Sequence, residues 1–231
     1  MEFTNQLVAL SSEEQKASFY RKTYLHVALA ILAFIFVETA LLMFVPARYI
    51  AMMFSGQYTW LLIIGGFWLA SILANKWTMS QSRAVQYAGL GFYVLLEAVI
   101  FLPMIYIAMS MADAGTEMLL QAGLITLMLF VGLTGVALTS NRDFSFLRGI
   151  VIIGGFIAIG LIIAGMLFGF NLGLWFSVGM VLLAAASILY QTSELKNIFT
   201  TEQYVGASLQ LFSSIMLLFW YVLRILMSRK D

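Results

Sequence analysis

Four ionisable side chains stand out within the long apolar runs of this sequence: His26, Glu38, Glu97 and Arg224. A charged group at mid-membrane costs roughly 2.5 to 3.5 kcal/mol on insertion scales, so such residues mark either ion and proton pathways or hydrogen bonds that hold a bundle together. Glu97 precedes Pro103, whose ring removes the backbone bond to the Val99 carbonyl. A carboxyl beside a broken helix suits an ion or proton site; the structural alternative is a hydrogen-bonded glutamate stabilising the bundle. Glu38 admits the same two readings. His26, at the start of its run, reads as an interfacial or core histidine before it reads as a pH sensor. Arg224, near the end of the last run, is placed to snorkel toward headgroups, the alternative being a counter-ion to Glu97.

Other polar groups are patterned rather than isolated. Gln210, Ser214, Tyr221 and Arg224 recur at helical spacing and share one face. In a bilayer that face needs protein partners or water, which predicts a final helix inside a ring of the others. The helix before it ends in the polar stretch 187–194, where Gln191 and Glu194 stand at a predicted hinge between the last two helices.

The elements that must position these groups follow from composition. The chain has 231 residues, 62% hydrophobic and 10% charged, with a mean hydropathy of +0.98. Such a chain suits helices of about 20 residues crossing a hydrocarbon core roughly 30 Å thick. Apolar runs at 24–45, 58–74, 85–110, 117–139, 146–168, 174–191 and 204–227 predict an all-α membrane protein with seven transmembrane helices, six surrounding a central C-terminal one. Residues 1–23 form a polar cytoplasmic lead without the apolar core of a signal peptide, so the first span is expected to be an uncleaved anchor of the single domain 24–231. Turn chemistry marks Ser55-Gly56, Asp113-Ala114-Gly115 and Asn171-Leu172-Gly173. Gly160 with Ala164 and Gly165 with Gly169 have the spacing of close helix packing in lipid. Asp143 is placed to cap the fifth span.

Lys16, Arg21, Lys22, Lys76, Arg83, Arg142, Arg148 and Lys196 fall on the side of the N-terminus, against Arg48 alone in the opposite loops before the last span. This bias predicts a cytoplasmic N-terminus. Arg224, Arg229 and Lys230 run against it, and seven full crossings are expected over a re-entrant last run. A net charge of +1 supplies no field for nucleic acid, and zero cysteines with one histidine exclude disulfides, thiolate metal sites and multi-histidine sites. Walker A, HExxH and GxSxG motifs are absent, so neither an enzyme nor a cofactor protein is expected. His26 with Ser213 or Ser214 is the one nucleophilic pairing left open.

Arg21-Lys22-Thr23-Tyr24, Arg142-Asp143-Phe144-Ser145-Phe146-Leu147, Ile188-Leu189-Tyr190-Gln191-Thr192 and Leu211-Phe212-Ser213-Ser214, in this order and on these spans, resemble the Bax inhibitor family on its bacterial YccA-like branch. The resemblance implies a seven-helix bundle in the bacterial inner membrane, with six helices around the last. It also implies calcium leak, with Ca2+ as the transported ion, and a part in stress responses. For bacterial relatives it implies an alternative, non-conducting role as modulator of a membrane-anchored AAA protease. Many members carry two aspartates facing each other between the last two helices, sharing a proton as a pH gate. The matching positions here are Gln191 and Ser214, neither of which titrates, and Glu194 is the nearest substitute.

Overall fold

Each apolar run folds as one long helix. The computed structural model describes residues 6–54, 57–111, 115–140 and 142–228. Its helices are α1 (Glu13–Phe44), α2 (Ala47–Phe54), α3 (Gln57–Thr78), α4 (Arg83–Ser110), α5 (Gly115–Thr139), α6 (Leu147–Phe168), α7 (Gly173–Asn197) and α8 (Tyr204–Ser228). All but α2 are long and apolar enough to cross a membrane. The last run is an unbroken helix of 25 residues, the length of a full crossing.

Several boundaries differ from the sequence expectation. The polar lead is largely helical, because Ser12 and Gln15 form a reciprocal capping box that starts α1 at Glu13, well before residue 24. Pro46 then stops α1 by holding Val45 extended (ψ 116°). The short α2, which follows at once and buries Ile50, was missed because eight residues are too few to register as a span. α4 runs straight through Pro103, so Glu97 does not stand beside unwound backbone; the lost bond is tolerated inside a helix packed on several sides. α7 extends to Asn197, which moves the hinge from 187–194 to 198–203. The Ser55-Gly56 turn, the Asp113-Ala114 turn, Arg229 and Lys230 lie outside the described residues. The third expected turn is present: the Asn171 side chain accepts from Gly173 N at 2.9 Å and Gly173 takes φ 67°.

α8 is enclosed along most of its length, with Leu211, Phe212, Leu218 and Leu223 fully buried and a polar stripe also turned inward, as a central helix requires. It packs directly on α1, α3, α4, α5 and α7, whereas α6 is held mainly through α7. α4 is the second core helix, burying Tyr93, Val94, Ala98 and Phe101. Close approach at one end of the bundle depends on two glycines. A Cβ at Gly89 would lie 2.8 Å from Trp77 Cβ and 2.9 Å from the Ala74 carbonyl, and one at Gly206 would lie 2.7 Å from Met79 Sδ. The small-residue pairs on α6 behave differently from expectation: Gly160 faces open space, and Gly169 is the left-handed cap that ends the helix (φ 73°).

Candidate functional site

Polar groups inside the bundle border two cavities, arranged one above the other along α8. The larger, about 540 Å³, lies between α3, α4, α6 and α8 and includes Trp60, Glu97, Met166, Trp220 and Arg224 in its wall. It occupies the gap that keeps α6 off α8. The smaller, about 260 Å³, lies lower along α8 between α3, α4 and α7 and is bordered by Ser71, Asn75, Gln191 and Gln210. Trp60 belongs to the first turn of α3 and Asn75 to its last, so the cavities occupy opposite halves of the bundle.

Tyr93 and Ser213 are the two residues that line both cavities. The Tyr93 hydroxyl donates to Ser213 Oγ at 2.8 Å. Its ring is held in place by Phe67 and Phe212, at centroid distances of 6.0 and 6.1 Å. The pair therefore forms the partition between the two spaces. Ser213 is about 14 Å along α8 from Tyr204, near the middle of the helix. Beside it, Ser214 Oγ donates to Gln191 Oε1 at 2.9 Å and stands 3.0 Å from Ser187 Oγ, tying α7 to α8 with uncharged groups.

At the N-terminal end of the bundle, loops and helix ends are tied together. Arg83 pairs with the Glu202 carboxylate, donates to the Glu202 carbonyl at 2.8 Å and to Gln86 Oε1 at 2.7 Å, and lies over the Tyr204 ring. A strap from Gln6 to Leu10 bridges the α7–α8 turn through Val8 N to Phe199 O (2.9 Å) and Thr201 N to Gln6 O (3.1 Å), burying Val8. His26 packs against the rings of Tyr87 and Tyr204, and its Nδ1 lies 2.7 Å from the Lys22 carbonyl. A carbonyl can only accept, so Nδ1 carries the proton.

Asp143 does not cap α6, whose N-cap is Phe146 with no side-chain bond. Its carboxylate instead accepts from Ser145 N at 2.9 Å and from the Ser193 hydroxyl at 2.9 Å, closing the α5–α6 loop onto the end of α7. The backbone N–H of Ser145, followed by the Ser193 hydroxyl, holds this carboxyl below the usual aspartate value. A depressed folded pKa gives a contribution that is complete above the ordinary value of about 3.9 and lost as pH falls through the lowered one. The clamp should thus stay closed from pH 8 to pH 5. Exchange of the Ser145 amide, once intrinsic exchange rates are divided out, will be flat over that range in the wild type and faster throughout in Asp143→Asn.

The structure brings Glu97 and Arg224 to one cavity without an ion pair between them, and places Gln191 and Gln210 on the other. Arg224 lines the cavity at its end near the α6–α7 loop, a position compatible with a guanidinium that reaches toward headgroups. Glu38 borders neither space; it is buried on α1, and its carboxyl oxygens have no hydrogen-bond partner among the described residues. Glu194 accepts from the Tyr190 hydroxyl inside the last turns of α7 and does not reach the Gln191–Ser214 contact. His26 packs from α1 on Tyr204, which is nine residues along α8 from Ser213, so the histidine and the serine do not pair. Tyr93 is the residue that sequence reasoning missed.

Comparison with known proteins agrees with this architecture. The family model described as inhibitor of apoptosis-promoting Bax1 matches residues 16–231. An uncharacterized protein of Pseudomonas aeruginosa is 35% identical over 112 residues, a match that covers 48% of this chain and 50% of that relative. The match thus spans about half the length of that curated relative.

Proposed function

Since the chain belongs to the Bax inhibitor family, as a multi-pass membrane protein, we propose that it is a cation leak, with Ca2+ as the transported ion, closed at Tyr93 and Ser213. The observation that carries this reading is the pair of cavities in opposite halves of the bundle, divided by one side-chain hydrogen bond. Calcium takes six to eight oxygen ligands. Glu97 and Ser213 offer oxygens on one side of the partition, and Asn75, Gln191 and Gln210 on the other. No group of three His, Cys, Asp or Glu side chains that could hold a metal occurs among the described residues. Sparse ligands suit transit over retention, because conduction requires binding weak enough to release. The bacterial relative supports a bacterial inner membrane placement, and the basic residues of the loops favour a cytoplasmic N-terminal end. The uncharged Gln191–Ser214 contact supports a leak without an acid-pair pH gate.

Calcium entry into dye-loaded proteoliposomes tests this. Wild-type protein will conduct at both pH 6 and pH 8, without the closure at one of them that a shared-proton acid pair would impose. Glu97→Gln will slow entry about tenfold, which corresponds to roughly 1.4 kcal/mol of added barrier. Equal flux in the two proteins would remove Glu97 from the path. A wild type that conducts nothing would transfer the assignment to the non-conducting modulator of a membrane protease. The strap 6–10 docks on the α7–α8 turn through Val8 yet leaves Leu7 and Leu10 exposed, so it is the surface that the modulator reading would use.

A further inference from the structure

The larger cavity has a second chemistry that ion passage does not use. Apart from the polar floor at Tyr93, Glu97 and Ser213, its wall is apolar and aromatic, with Asn171 and Arg224 at the opposite end. Trp60 and Trp220 stack at 6.5 Å, and Phe101 meets Trp220 edge to face at 4.9 Å. Arg224 forms no ion pair among the described residues. A space of about 540 Å³ with aromatic walls and a few convergent polar groups has the character of a small-molecule site.

Its dimensions select the ligand. From Ser213 to Arg224 the cavity follows about 16 Å of helix, roughly half of a ~30 Å hydrocarbon core, which is the depth of one leaflet. Its flanks are α3 and α6, the two spans with the smallest buried share (6% and 11%), and these touch each other only over a short stretch. Entry from the bilayer is therefore lateral, through the seam between them. One guanidinium at headgroup depth matches one carboxylate, which it can grip with two parallel hydrogen bonds.

We propose that this cavity binds a single long-chain fatty acid, its carboxylate on Arg224 and its chain along Trp60, Phe101 and Trp220. Binding stands independently of conduction. If the leak reading holds, an occupied cavity also covers Glu97 and the partition from the far side.

Tryptophan quenching by dibrominated stearate reads occupancy directly. Trp68, Trp77 and Trp175 are first replaced by phenylalanine, leaving the cavity pair. At pH 8.5, in detergent micelles, quenching by the acid will saturate. The uncharged methyl ester and a two-chain brominated phospholipid will give only weak, linear quenching. Arg224→Gln will raise the half-saturating concentration about tenfold, and Arg224→Lys, which keeps the charge without the paired hydrogen bonds, will restore part of the loss. Ile64→Phe with Leu217→Phe will narrow the chain site and raise the half-saturating concentration, in protein that elutes as a single species with wild-type helix content. Linear quenching that is equal for acid and ester, or saturation indifferent to both Arg224→Gln and the narrowed cavity, would overturn the proposal. Flux plays no part in the readout, so failure here and failure of the leak reading are distinguishable.

Discussion

Replacing Tyr93 with phenylalanine will raise calcium entry about fivefold, and replacing it with alanine will raise it further. The hydroxyl contributes the hydrogen bond to Ser213 that closes the partition. One such bond is worth about 1 kcal/mol net, which corresponds to about a fivefold shift in the closed population. Ser213→Ala removes the same bond from the other side and will match Tyr93→Phe. Alanine at 93 also deletes a ring packed between Phe67 and Phe212, so the two cavities join without any rearrangement. Equal flux for wild type and Tyr93→Ala would mean that the narrowest point lies elsewhere.

The helices were legible in the sequence, and the partition was not. A 62% hydrophobic chain with long uninterrupted runs leaves little freedom in counting spans. The stripe on α8 stood out because polar groups are rare in an apolar helix, and its members do face the interior: Gln210 one cavity, Arg224 the other, Ser214 the α7 contact. Tyr93 carried no such signal. It is one of ten tyrosines, a residue at home at any membrane interface, and its partner is 120 positions away. Pro103 misled for the opposite reason, since a local rule predicted a break that burial of α4 on several sides prevents. Asp143 has a capping residue's composition, but the tertiary contact with Ser193 captures it for a different turn. Glu38 and Glu97 looked alike in sequence; only the packing around each carboxyl separates a cavity wall from an enclosed site.

The largest effect on folding is expected at Gly89. Gly89→Leu will abolish recovery of monodisperse protein, while Gly91→Leu, two residues on, will leave it at the wild-type level. Both changes favour the helix intrinsically, by roughly 0.8 kcal/mol relative to glycine. They differ in surroundings. A Cβ at Gly89 meets Trp77 Cβ at 2.8 Å and the Ala74 carbonyl at 2.9 Å, whereas at Gly91 nothing lies within 4 Å. Ordinary overpacking costs about 1 to 3 kcal/mol. Here the clash is with backbone, and the α3–α4 pair that frames both cavities must separate to relieve it. Size-exclusion profiles and thermal unfolding in detergent will show the contrast, and equal behaviour of the two variants would refute the close approach of α3 and α4.

The absence of native cysteine makes the central claim directly measurable. Gln210→Cys places a thiol in the smaller cavity and Leu217→Cys one in the larger, and a membrane-impermeant thiol reagent can be applied to either face of oriented vesicles. If Tyr93 and Ser213 divide one path, Gln210→Cys will react only from the N-terminal face and Leu217→Cys only from the opposite face. Adding Tyr93→Ala will let each react from both. Labelling of the two positions from the same face, or sidedness unchanged by Tyr93→Ala, would contradict a path closed at this pair.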